Sequence, residues 1–143
     1  WIFYIIVMGI FIYPIFQKKK GIFYQSGLTT LLLITCLSIV TFVKPELISD
    51  NWFLPLFIGL IVLIGTRIIE RLLSIYEVID NRIYSKLISY VGILLFSFWT
   101  LYDTKQLIKR GASCVNPDYI NQSLDIFLDA LNIFVKLTNE NEK

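Results

Sequence analysis

Histidine is absent from the chain, and cysteine, methionine and proline are scarce: two, one and four residues among 143. Without histidine, the usual base of a catalytic triad and the commonest ligand for zinc, copper and haem are missing, which removes much of enzymology. The two cysteines, Cys36 and Cys114, fall in an apolar stretch and in a polar loop. They lie at different membrane depths, beyond disulfide geometry, and read as free thiols. Charge is also sparse, at 17% of residues, with a net charge of +2 and no basic tract beyond Lys18, Lys19 and Lys20. Nucleic acid is thereby excluded as a partner. What abounds is apolar side chain, at 56% of residues with a mean hydropathy of +0.68. A water-soluble domain of this length has no core large enough to hide so much, so the excess faces lipid or another protein. The chain belongs in a membrane.

Charge-free stretches approaching the ~20 residues that cross a hydrocarbon layer mark out five expected spans. Residues 1–17 carry no charge but contain Gly9 and Pro14, which suits a helix whose end is bent or broken. Residues 21–43 form the cleanest span; Ser26, Thr29, Thr30, Thr35 and Ser38 can bond to their own helix or to neighbours, and Gly27 permits close approach. Two placements stand for it, inside a bundle or facing lipid. The third span, 51–66, follows a turn-like cluster of Lys44, Pro45, Glu46 and Asp50, and runs on as an amphipathic extension to Ile79. Arg67, Glu70, Arg71 and Glu77 lie at helical spacings there, as solvated charge pairs at a helix end would. The fourth span is 87–102, and a loop with Lys109, Arg110, Gly111 and Pro117 leads to the fifth, about 120–137. No repeat or linker divides the chain, which reads as one transmembrane domain over 1–143.

With five crossings, Lys18 to Lys20, Arg67, Arg71, Arg82, Lys86, Lys136 and Lys143 share one side, against Lys44, Lys105, Lys109 and Arg110 on the other. The excess favours a cytoplasmic or matrix-like C-terminus.

Polar residues interrupt the last two spans, and an acid in lipid costs on the order of 2.5–3.5 kcal/mol by insertion scales. On the last helix Asp125, Asp129, Asn132 and Lys136 fall at i, i+4, i+7 and i+11, one stripe on an otherwise apolar cylinder. On the preceding helix Ser97, Thr100 and either Asp103 or Thr104 make a similar stripe. Asp103 and Asp129 can then face each other across two antiparallel helices. Two carboxyls held close share a proton and titrate as a coupled pair, and losing that proton pushes the helices apart. The same oxygens, with neighbouring hydroxyls, are the hard ligands Ca²⁺ prefers. The bland alternative is that Asp103 and Asp125 cap or snorkel to water.

At these residues the chain resembles the Bax-inhibitor (transmembrane BAX inhibitor motif) family. The resemblance rests on LLFSFWTLYDTKQLIKR at 94–110 and PDYINQSLDIFLDALNIF at 117–134, and extends more weakly through MGIFIYPIF at 8–16. It implies an all-α, polytopic transmembrane bundle of seven helices, five of them here, with the final helix central. It also implies a pH-sensitive Ca²⁺ leak that tempers cell death, with Asp103 and Asp129 as the proton-sensing pair and Asn132 matching the asparagine of the last helix. The family's first two helices, with an arginine taken to partner that pair, have no counterpart in this sequence, which reads as the C-terminal part of a longer chain. The PDYINQS and LNIF segments are similar to those of a mitochondrial inner-membrane branch and of homologues in large DNA viruses; the endoplasmic reticulum is the third setting the resemblance allows.

The expected function is therefore a calcium or cation leak, with Asp103 and Asp129 on the ion pathway and as its calcium ligands, and Asp125, Asn132, Thr104, Ser97 and Thr100 in support. Calcium enters as permeant ion, no cofactor is expected, and the partners are the lipid bilayer and other membrane subunits. A structural subunit of a larger membrane assembly is the alternative, since helices missing their neighbours leave an apolar flank for other chains to cover. An intramembrane aspartyl protease fails, because Asp129 sits in FLDALN rather than in a GxGD motif. No enzyme activity is expected.

Overall fold

A computed structural model describes residues 2–18, 20–75, 82–113 and 118–141. They form five α-helices, α1 (Ile2–Lys18), α2 (Lys20–Val43), α3 (Phe53–Ile75), α4 (Arg82–Ser113) and α5 (Tyr119–Asn141), with two short 3-10 turns at Pro45–Leu47 and Asp50–Trp52 between α2 and α3. The all-α reading holds. Cys114, Glu77, Ile79 and Pro117 lie outside the described residues, and Cys36 is an exposed free thiol.

Several helical boundaries differ from expectation, with α4 also starting at Arg82 and α5 running on to Asn141, and three of the differences have a plain physical reason. α1 is not broken at Pro14, which sits inside it with the helix continuing to Lys18; in an apolar setting the rest of the ladder outweighs one missing donor. The third span begins at Phe53 because Asp50–Trp52 is wound as a 3-10 turn, with Ser49 accepting a bond from the Asn51 backbone N–H. α4 runs eleven residues beyond the expected end at Tyr102, through Lys109, Arg110 and Gly111, which are helix rather than loop. Lys105, Gln106, Leu107 and Lys109 are good helix formers, so the charges mark where α4 leaves the lipid and not where it stops.

Among the described residues, three segments are long and apolar enough to cross a membrane: 20–43, 50–72 and 83–113. Five crossings were expected; the apolar part of α1 is shorter, and α5 carries Asp125, Asp129 and Lys136 within its length. The outside of the bundle is apolar, with Leu31, Phe42, Val43, Leu54 and Ile61 all exposed, whereas Ser26, Thr30, Thr41, Thr100, Thr104, Asp129 and Thr138 are buried. Apolar side chains such as Phe96, Ile133 and Phe134 are buried with them, and an exterior as apolar as the interior is the pattern of helices packed in lipid, where small polar residues allow close approach. The threonines satisfy themselves: the hydroxyls of Thr30, Thr41, Thr100, Thr104 and Thr138 each donate to the carbonyl four residues back.

α4 and α5 form an antiparallel hairpin, with Gly92 against Lys136 near one end and Gly111 against Tyr119 at the other. α2 lies along both through a narrow polar seam, leaving its Leu28, Leu31, Leu32 and Val40 exposed, so the two placements expected for it are both partly realised. Its start meets the end of α5, where Phe23 stands edge-on to Phe134 at 5.1 Å and the Asn141 amide donates to the Ser26 hydroxyl at 3.1 Å. α3 packs on α4, where Arg67 donates to Ser89 at 2.8 Å and pairs with Glu70 at 2.9 Å. Arg67 is thus a cross-helix tie and not only a member of a solvated charge run. α4, rather than the final helix, has extensive faces on three other helices. Its far end is strapped to the α2–α3 connection: the Lys105 ammonium donates to the Ile48 carbonyl and pairs with Asp50 at 3.0 Å, and Lys109 reaches Asp50 at 3.3 Å.

Candidate functional site

The polar stripes of α4 and α5 meet toward the loop end of the hairpin. Asp103 of α4 is half-buried, Asp129 of α5 is only 6% exposed, and their carboxyls stand in hydrogen-bonding relation across the helix seam. The Thr100 hydroxyl lies against Asp129, and Asp125, one turn earlier on α5 and exposed, adds a second negative charge near Asp103. The Asp129 Oδ2 atom is buried with no hydrogen-bond partner. A carboxyl oxygen left in that state is costly, so such groups are retained where they carry a function. A shared proton between the two carboxyls is the arrangement that lowers the cost, because it removes one of two like charges.

The other residues of the two stripes divide. Thr104 is buried beside Asp103 with its hydroxyl given to the Thr100 carbonyl, and Ser97 is half-buried with its hydroxyl given to the Ile93 carbonyl. Asn132 is exposed, and its amide donates to the Leu128 carbonyl of its own helix rather than turning to the acids. Lys136 lies half-buried at the far end, with its ammonium 5.7 Å from the centre of the Phe96 ring. The single stripe read from the sequence is therefore two nodes, one acidic and one basic, because helical spacing fixes a direction but not what stands opposite.

Among the described residues no group of three or more acids, cysteines or histidines gathers as a metal cage. Two carboxyls, beside hydroxyls already committed to backbone carbonyls, fall short of the roughly 6–8 oxygens of a tight Ca²⁺ site.

Sequence reasoning missed what surrounds the pair. Phe53, Trp99, Tyr102 and Arg110 join Asp103 and Asp125 around a cavity of about 280 Å³. Its local signal was the aromatic run at 98–102, which reads equally well as membrane-interface anchoring.

The model of the family described as inhibitor of apoptosis-promoting Bax1 matches residues 1–139. The chain is 29% identical to the growth hormone-inducible transmembrane protein of Rattus norvegicus over 96% of its length and 41% of the relative's. It is 28% identical to the protein LIFEGUARD 1 of Arabidopsis thaliana over 79% of its length and 46% of the relative's. The chain thus spans less than half the length of these curated relatives. No solved structure matches it. An all-helical membrane bundle, with paired acids on its last two helices and a family model matching almost from end to end, makes this chain a member of the Bax-inhibitor family.

Proposed function

We propose that the chain forms part of a pH-sensitive calcium or cation leak in an internal membrane, without enzymatic activity, and that it modulates ion homeostasis and cell death. The observation that carries this reading is the meeting of Asp103 and Asp129 across α4 and α5, with one Asp129 oxygen buried and unpartnered. While the pair shares a proton it bridges the two helices. Once that proton leaves, two unit charges about 4 Å apart at an effective dielectric of about 20 repel by about 4 kcal/mol, enough to part a helix seam locally. The charged groups bearing on the pair are Asp125 from α5 and Arg110 from α4; the first adds to the repulsion and the second reduces it. A cation entering from water then meets carboxylates in a place where lipid would otherwise exclude it.

The test is Ca²⁺ flux into proteoliposomes as a function of pH, with the full-length chain and with Asp103→Asn and Asp129→Asn. Flux should rise as the pair loses its shared proton, and both variants should remove that dependence. Absence of flux at every pH from folded, inserted protein would refute the leak and favour a structural subunit of a larger membrane assembly.

A further inference from the structure

The cavity beside Asp103 has a composition that a proton sensor alone does not require. One flank is aromatic: Phe53 and Trp99 stand edge to face at 5.9 Å, Trp99 and Tyr102 at 6.1 Å, and Phe53 and Tyr102 are tilted at 6.3 Å. Asp103 and Asp125 supply two carboxylates and Arg110 one guanidinium. The Trp99 indole N–H is buried without a partner. We propose that this cavity binds an organic ammonium group, with the aromatic flank and the carboxylates of Asp103 and Asp125 receiving the cation.

Each competing class of ligand meets a mismatch. An anion faces two carboxylates against one arginine. A bare divalent cation needs roughly 6–8 oxygens and gains little from ring edges and faces. A neutral apolar molecule would bury charged groups without compensation. A cavity of about 280 Å³ is at the lower limit of ligand pockets, roughly 300–1,000 Å³, which suits a headgroup-sized cation rather than a drug-sized one. An alkylammonium spreads its charge over methyl or methylene groups, so it gains from aromatic faces and from carboxylates together. Arg110 and Gln106, which line the same cavity, remain as donors for an oxygen a few bonds from the nitrogen, as in an ethanolamine or choline group, whether in solution or at the head of a phospholipid. The inference does not depend on conduction, and its test reads binding alone.

The full-length chain in phosphatidylglycerol nanodiscs is titrated with choline, followed by saturation transfer to the choline methyl protons. Saturable binding is expected, with 3,3-dimethyl-1-butanol, the uncharged isostere, about tenfold weaker. Trp99→Leu and Asp125→Asn should each weaken choline by about tenfold, and Trp99→Phe, which keeps a ring, by much less. Helicity by circular dichroism and the elution volume establish that each variant is folded. Repeating the titration in phosphatidylcholine nanodiscs separates the sources: several-fold weaker choline binding identifies a lipid headgroup as occupant, and an unchanged affinity identifies a soluble ammonium ion, either supporting the site. Equal binding of the uncharged isostere, no saturable transfer, or unchanged affinity in both Trp99→Leu and Asp125→Asn would overturn the proposal.

Discussion

Replacing Asp129 by leucine should make the bundle more stable, although it removes half of the proposed sensor. Asp129 is 6% exposed and its Oδ2 has no hydrogen-bond partner. A buried polar group in that condition costs about 1–3 kcal/mol. In a bilayer the unfolded reference also leaves such groups partly satisfied, which pulls the figure toward the lower end. Leucine would take the same place in the seam between α4 and α5 and add dispersion contacts with its neighbours. It removes the bond to Asp103 across the seam, which holds the gain to the lower end, but the Thr100 hydroxyl already donates to the Phe96 carbonyl and Asp103 keeps the cavity at its side. The expected gain is about 1 kcal/mol, roughly a fivefold shift in the unfolding equilibrium. It can be read by titrating mixed micelles with dodecyl sulfate and following helicity. Asp129→Asn should lie between leucine and the wild type. A loss of 1 kcal/mol or more in Asp129→Leu would mean that Asp129 carries structural bonds and is not held in the seam against stability.

The strap at the end of α4 gives a second expectation. Lys105→Met removes a charge-assisted bond to the carbonyl of Ile48, a residue only 2% exposed, and should cost about 2 kcal/mol in the same assay. Asp50→Asn should cost less, because its side chain is 53% exposed, its partner Lys109 is 60% exposed, and Lys105 keeps its bond to Ile48; equal losses in the two variants would contradict this division. At Gly92, an added methyl would meet the Lys136 chain tip at 2.6 Å, and that tip can swing aside. Gly92→Ala should therefore cost less than about 1 kcal/mol, through the lost contact with Phe96, whereas Gly92→Leu overfills the seam at about 1–3 kcal/mol. Comparable unfolding of the two variants would show that Lys136 is rigidly seated.

The helices that hydropathy alone could find were found. α2 differs from its expected 21–43 by one residue at its start, because an uncharged run bounded by lysines on one side and Pro45 on the other leaves the chain few alternatives. The end of α4 was misplaced because hydropathy reports where lipid ends, while helix propensity through Lys105 to Arg110 decides where winding ends. The acid pair was legible since Asp103 and Asp129 break apolar helices where charge is expensive. The roles of Asn132 and Arg67 were not. Asn132 shares the helical spacing of Asp129 yet bonds its own backbone, and Arg67 ties to Ser89 twenty-two residues away. Nor did any local signal link Lys105 to Ile48 or Gly92 to Lys136, since such contacts exist only once helices are packed.

The two fixings of the hairpin lie at opposite ends. α4 is strapped near Asp103 to the α2–α3 connection, and α5 is fastened to the start of α2 by Phe134 and Asn141. Ile133, with no exposed surface, sits beside that second fastening. A tilt of α5 about its far end is the relative movement of the two helices that would leave both fixings intact. From Phe134 back to Asp129 the lever is about 7.5 Å at the helical rise of 1.5 Å per residue, so displacing the Asp129 end by about 2.6 Å takes a tilt of about 20°. That is about the width of a water molecule, so parting Asp103 from Asp129 by one water would take a movement of the whole helix and not a side-chain adjustment.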